Sequence, residues 1–151
     1  MSILRKPQVN ATIMMLVSLF YGLIFIFTSG HIEFLRLLNH SQSLSNEFWN
    51  AWSEFLRQGN MKYFGYSYIL LAAVIVIFSF FKRENYDEYQ VGVLEKGLIV
   101  AGIAMMLLFP VSLFLILSDP NYAVETVMFL IIAHWSVVLV ADLGYVVKWG
   151  K

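Results

Sequence analysis

The sequence predicts an all-α integral membrane protein, a bundle of four transmembrane helices. Three observations lead there. Of the 151 residues, 60% are hydrophobic and only 13% are charged, where an ordinary soluble domain carries about 25% charge. A 17.4 kDa globule with mean hydropathy +0.72 has too little interior to hide that much apolar surface. Four apolar runs come close to or reach the roughly 20 residues a helix needs to cross a bilayer, and each run is continuous, not alternating, which favours helices over the strands of a membrane barrel. The whole chain, 1–151, reads as one transmembrane domain.

The first span is expected over 11–29, an uncharged stretch that follows Arg5 and Lys6. It is longer than the apolar core of a secretory signal, about 7–15 residues, so it is read as a retained helix. The segment 30–63 is patterned. A short helix is expected over 31–38. After it, Leu44, Phe48, Trp52, Phe55 and Leu56 share one helical stripe, and Asn46, Glu47, Asn50, Ser53, Glu54 and Arg57 fall on the other face. Ser43 or Ser45 can cap its start, and Gly59-Asn60 supplies a stop. This reads as an amphipathic helix of about four turns lying in the headgroup plane, and Phe48, Trp52, Phe55 and Leu56 form a candidate surface for lipid or an outside partner.

The second span is expected over 64–81, ended by Lys82 and Arg83. Tyr63, Tyr66 and Tyr68 at its start, and Trp149 near the chain's end, read as interface anchors. The loop 82–96 is dense in both charge signs and is expected to become a charged helix that continues into the third span, 97–117. Gly97, Ala101 and Ala104 give that span a small-residue packing face, and Pro110 should kink it. Asp119-Pro120-Asn121 is turn chemistry. The fourth span is expected over 126–147, with Glu125 at its positive dipole end.

Lys and Arg placement sets the orientation. Arg5, Lys6, Lys82, Arg83, Lys96, Lys148 and Lys151 fall on one side, and Arg36, Arg57 and Lys62 on the other. The expected topology is N-in/C-in, both termini cytoplasmic, in the plasma (inner) membrane of a prokaryote, with the amphipathic helix outside.

The segment Asp87-Glu88-Tyr89-Gln90, followed by Leu94-Glu95-Lys96-Gly97 and two spans, resembles small uncharacterised multi-pass membrane proteins of bacteria and archaea, in which an Asp-Glu-Arg-Gln-like segment precedes a helical hairpin. The resemblance covers about residues 86–147, with Tyr89 in place of the arginine. It implies a membrane hairpin and no assigned activity, so no catalytic residue is carried over.

Ionisable groups within a bilayer are costly, about 2.5–3.5 kcal/mol on insertion scales, and mark candidate sites. Two qualify, His134 and Asp142 in the fourth span. Eight residues put them about 12 Å apart along the axis. They cannot bond directly, but they can bracket a polar pathway with Ser136 and Tyr145. The plainer expectation has His134 bonding Ser79 or Ser112 across the bundle, and Asp142 in the headgroup zone paired with Lys148. A haem site lacks its second histidine at membrane depth.

Balanced charge, Lys+Arg 10 against Asp+Glu 10, leaves no basic field for nucleic acid. The chain has no cysteine, and no HExxH, GxSxG or phosphate-loop motif occurs. No enzyme activity, cofactor or metal is expected. The expected partners are the lipid bilayer and a membrane protein or second copy of the chain. The expected role is contact, as an accessory subunit, sensor or immunity-type protein. The alternative is an oligomeric channel or proton-linked transporter using His134 and Asp142.

Overall fold

The structure, a computed structural model, describes residues 5–39, 46–81 and 85–149. All regular elements among them are helical: α1 Pro7–Thr28, α2 Ile32–Leu37, α3 Glu47–Arg57, α4 Met61–Phe81, α5 Glu88–Ser118, a 3-10 turn Pro120–Tyr122, and α6 Ala123–Trp149. Four of these are long and apolar enough to cross a membrane: α1, α4, α5, and α6 with its leading turn.

Helix ends are set by local chemistry. Pro7 starts α1, where its missing N–H would lack a partner anyway. Thr12 and Thr28 return their hydroxyls to the Gln8 and Ile24 carbonyls at 2.7 and 2.6 Å, so neither carries an unbonded donor into the apolar helix. Asn46 caps α3, accepting from the Phe48 and Trp49 N–H groups; Ser43, Ser45 and Leu44 lie outside the described residues. After α3, Gly59 takes φ +70. Gly59 N–H then bonds the Leu56 carbonyl and Asn60 N–H the Phe55 carbonyl, which closes the helix in a Schellman motif. A side chain at Gly59 would also meet the Ser29 carbonyl at 2.9 Å. Asp87 and Gln90 form a reciprocal capping box at the start of α5, so the Asp-Glu-Tyr-Gln segment has a structural job. Lys82 and Arg83 lie outside the described residues. Pro110 lies on an exposed face of α5, and the helix runs through it.

α1 and α4 form an antiparallel pair, α5 and α6 a hairpin, and α4 packs on α6 to join the two. Lipid is as apolar as leucine, so helices associate by close fit and hydrogen bonds, not by leaving water. The close fit is between α1 and α4. A Cβ built on Gly65 would lie 2.6 Å from the Gly22 carbonyl oxygen, and one on Gly22 would lie 3.0 Å from that of Gly65. By contrast, a Cβ on Gly97 would come no nearer than 3.9 Å, to Ala141. Ala101 is buried and Ala104 half-buried. The tight small-residue crossing is thus Gly22/Gly65, two isolated glycines.

Two faces differ from the sequence reading. Tyr68 is buried, not an interface anchor; its hydroxyl donates to the Ile132 carbonyl at 2.9 Å and lies 3.0 Å from Ser136 Oγ. In α3, Trp49, Ser53 and Leu56 are buried, Trp52 and Phe55 are half-buried, and Phe48 is exposed. The packed face is therefore rotated toward Trp49 and Ser53. Rings of Trp49, Trp52, Phe55, Phe64 and Phe129 pack edge-on or stacked between α3, α4 and α6.

Candidate functional site

α6 carries buried polar groups at three levels. At its first turn Glu125 is fully buried. Its Oε1 accepts from Ser53 Oγ at 2.9 Å, and its backbone carbonyl accepts from the Trp52 indole at 2.9 Å. Tyr122 donates to Asn50 Oδ1 at 3.1 Å. These bonds fasten α3 to the head of α6. The second level is the Tyr68–Ser136 pair, with the Trp135 indole donating to Ser18 Oγ of α1 at 3.1 Å.

The third level, near the other end of α6, is the candidate site. Asp142 has no exposed surface. Asn10 Nδ2, one turn into α1, donates to Asp142 Oδ1 at 2.7 Å. Asp142 Oδ2 is buried with no hydrogen-bond partner among the described residues, and so is the Tyr145 hydroxyl, three residues on. Tyr86 inserts from the loop before α5. Its backbone N–H donates to the Arg5 carbonyl at 2.8 Å, and its ring meets that of Tyr145 edge-on at 5.1 Å. Arg5 adds an exposed ion pair with Glu88 at 2.9 Å. Burial pushes the Tyr86 phenol up to about 12; the nearby Asp142 carboxyl adds to this, and the Ser79 hydroxyl opposes it. Ser79 itself is fully buried on α4. Five groups from α1, α4, α6 and the Tyr86 loop thus gather at one end of the bundle.

A cavity of about 250 Å³ opens beside them between α5 and α6, lined by Leu94, Gly97, Ala141, Asp142, Tyr145 and Lys148 among others. Burying a carboxyl is expensive unless it is bonded, and among the described residues one amide donor meets it. Chemically, the cluster offers a carboxyl group that can hold or release a proton, flanked by neutral donors. Among the described residues no three His, Asp or Glu side chains come together to hold a metal ion.

The two candidates from the sequence do not share a site. His134 is half-buried, and among the described residues no hydrogen bond joins it to Ser79 or Ser112. Between its level and that of Asp142, the buried face of α6 is Val138 and Leu139. Asp142 is buried against α1, and its described hydrogen-bond partner is Asn10, not Lys148, which lies over the Trp149 ring at 4.9 Å. The sequence reading missed Asn10, Tyr86 and the Glu125–Ser53 bond. A signal for Asn10 existed: Pro7 marks the helix start, which puts the amide inside α1. Asn10-Ala11-Thr12 also matches the glycosylation triplet, but Asn10 is buried and bonded.

No family model matches the chain, and neither a curated protein nor a solved structure resembles it significantly.

Proposed function

We propose that this chain is a non-catalytic protein of a prokaryotic plasma membrane that acts by contact with a membrane-protein partner or a second copy of itself. In this reading both termini are cytoplasmic, α3 lies on the outer side, and the contacting element is α5. One observation supports it. Only 11% of the most apolar window of α5 is buried within the chain, against 28% for α1 and α4 and 39% for α6. Ile99, Gly102, Ile103, Met106, Leu113 and Leu117 all lie on exposed positions of α5 at helical spacing. A Cβ added to Gly102 meets nothing within 4 Å, so another helix backbone can approach there. A photo-reactive residue at Met106, introduced in cells, should yield one discrete protein adduct. Adducts with lipid alone would remove the support for this reading.

A second reading is favoured by Asp142. A buried carboxyl with one unpartnered oxygen beside a cavity suits a proton- or cation-linked channel or transporter, in which Asp142 carries the ion and His134 has no part. Purified protein in liposomes should then show a flux that Asp142→Asn abolishes and His134→Gln leaves unchanged. Absence of flux in the parent chain rejects this reading.

A further inference from the structure

The cavity of about 250 Å³ between α5 and α6 joins two kinds of chemistry. Val93, Leu94, Leu98 and Ala141 make its apolar walls, and Asp142 and Tyr145 bring the only side-chain oxygens among its described lining residues. Asp142 Oδ1 is turned to Asn10 of α1, and no described residue of α1 lines the cavity. Oδ2 is therefore the oxygen left on the cavity side. It has no hydrogen-bond partner among the described residues, and neither has the Tyr145 hydroxyl. No ion pair among the described residues reaches Asp142. Lys148 also lines the cavity, but it is exposed and its ammonium lies over the Trp149 ring.

A buried carboxylate calls for a cation with donors to give. Calcium and magnesium take about six or more oxygens, and two side chains do not supply them. An anion meets the carboxylate. A purely apolar guest leaves both oxygens unpartnered. An ammonium group on an apolar body suits both halves, because its N–H groups donate to Oδ2 and to the Tyr145 hydroxyl while its carbons meet the walls. The size agrees. An apolar cavity of about 150 Å³ takes benzene, so about 250 Å³ has room for a ring with a short amino arm. Both oxygens are closed to water, so a guest reaches them as a wall yields. One wall is α5, the span with the smallest share buried within the chain. Its spacing from α6 is loose there, since even a Cβ added to Gly97 would stand 3.9 Å from Ala141.

We propose that this cavity binds a small organic amine in its ammonium form, with Asp142 Oδ2 as counter-charge, Tyr145 as second acceptor, and Val93, Leu94 and Leu98 as apolar wall. The proposal rests on the transport reading's use of Asp142 and names its cation, but its test reads binding, not flux. The full chain is placed in phosphatidylcholine nanodiscs, whose lipid brings no N–H donor. It is titrated calorimetrically with benzylamine and with benzyl alcohol, its neutral counterpart. Benzylamine should bind saturably and at least about tenfold more tightly than the alcohol, the scale of one charge-assisted hydrogen bond. Asp142→Asn keeps an oxygen for Asn10 and should bring the two ligands level. Lys148→Gln removes a like charge and should bind benzylamine as tightly as the parent or more so. Equal binding of amine and alcohol by the parent overturns the proposal, because an apolar cavity alone does that. Loss of benzylamine binding in Lys148→Gln also overturns it, because a like charge does not hold an ammonium. Proton flux that Asp142→Asn abolishes, without benzylamine binding, removes this proposal and leaves the transport reading standing. Benzylamine binding without any flux does the reverse.

Discussion

The Asn10–Asp142 bond gives the most demanding test of the packing described above. Removing Asn10 by Asn10→Leu leaves the Asp142 carboxyl buried with no described donor at all. Interhelical hydrogen bonds in membrane bundles average about 0.6 kcal/mol and reach about 1.7. This one is 2.7 Å long, between residues 1% and 0% exposed, so it belongs near the upper end. Orphaning a buried polar group costs about 1–3 kcal/mol. Asn10→Leu should therefore destabilise by about 2 kcal/mol. Asp142→Leu should cost less, about 1 kcal/mol, because it also removes the unpartnered Oδ2. The double variant replaces both partners by apolar groups of similar shape. It should be about 1.5 kcal/mol more stable than the two separate losses added together. Unfolding in mixed micelles, followed by tryptophan fluorescence, measures this cycle. If the losses add to within about 0.5 kcal/mol, the two residues are not coupled, and the account of this end of the bundle is wrong.

Three further outcomes follow from particular contacts. Gly65→Ala places a Cβ 2.6 Å from a backbone oxygen of α1 and should cost about 1–3 kcal/mol; Gly97→Ala meets only ordinary contact at 3.9 Å and should be neutral or slightly stabilising. Ser53→Ala removes a donor from the buried Glu125 and should speed hydrogen exchange in α3 while leaving the Asp142 end as protected as before. The Tyr86 phenol is raised from its ordinary value near 10 to about 12 in the folded chain, so the folded state holds that proton more tightly than the unfolded state. Its contribution is whole below about pH 10 and is lost as pH rises through about 12; an alkaline unfolding series should show a shallower limb in Tyr86→Phe.

What the sequence made legible, and what it did not, follows from range. The spans were readable because continuous apolar runs are a local property, and the stop at Gly59 because a left-handed turn favours glycine. The packed face of α3 was not. Ser53 counts as polar in any periodicity reading, yet it is buried because its hydroxyl has a carboxylate to bond on α6. Tyr68 has the composition of an interface anchor, and only the position of Ile132 and Ser136 shows why its hydroxyl is inside. Gly22 and Gly65 stand alone in their own helices, so their crossing exists only once α1 and α4 are set side by side. Asn10 fell just outside an apolar window that began at Ala11, although the helix itself begins at Pro7. Asp142 was visible as an intramembrane acid, but its amide partner lies 132 residues away.

The four-span topology is most directly tested by the sidedness of two positions. The chain has no cysteine, so each single-cysteine variant carries one thiol. Glu54 on α3 and Asn85 before α5 are both exposed. In intact cells an impermeant maleimide should label a cysteine at position 54, and should label one at position 85 only after the membrane is opened. Labelling of both positions from the same side of the intact membrane would contradict a chain that crosses it four times with α3 on one face and the Asp142 end on the other.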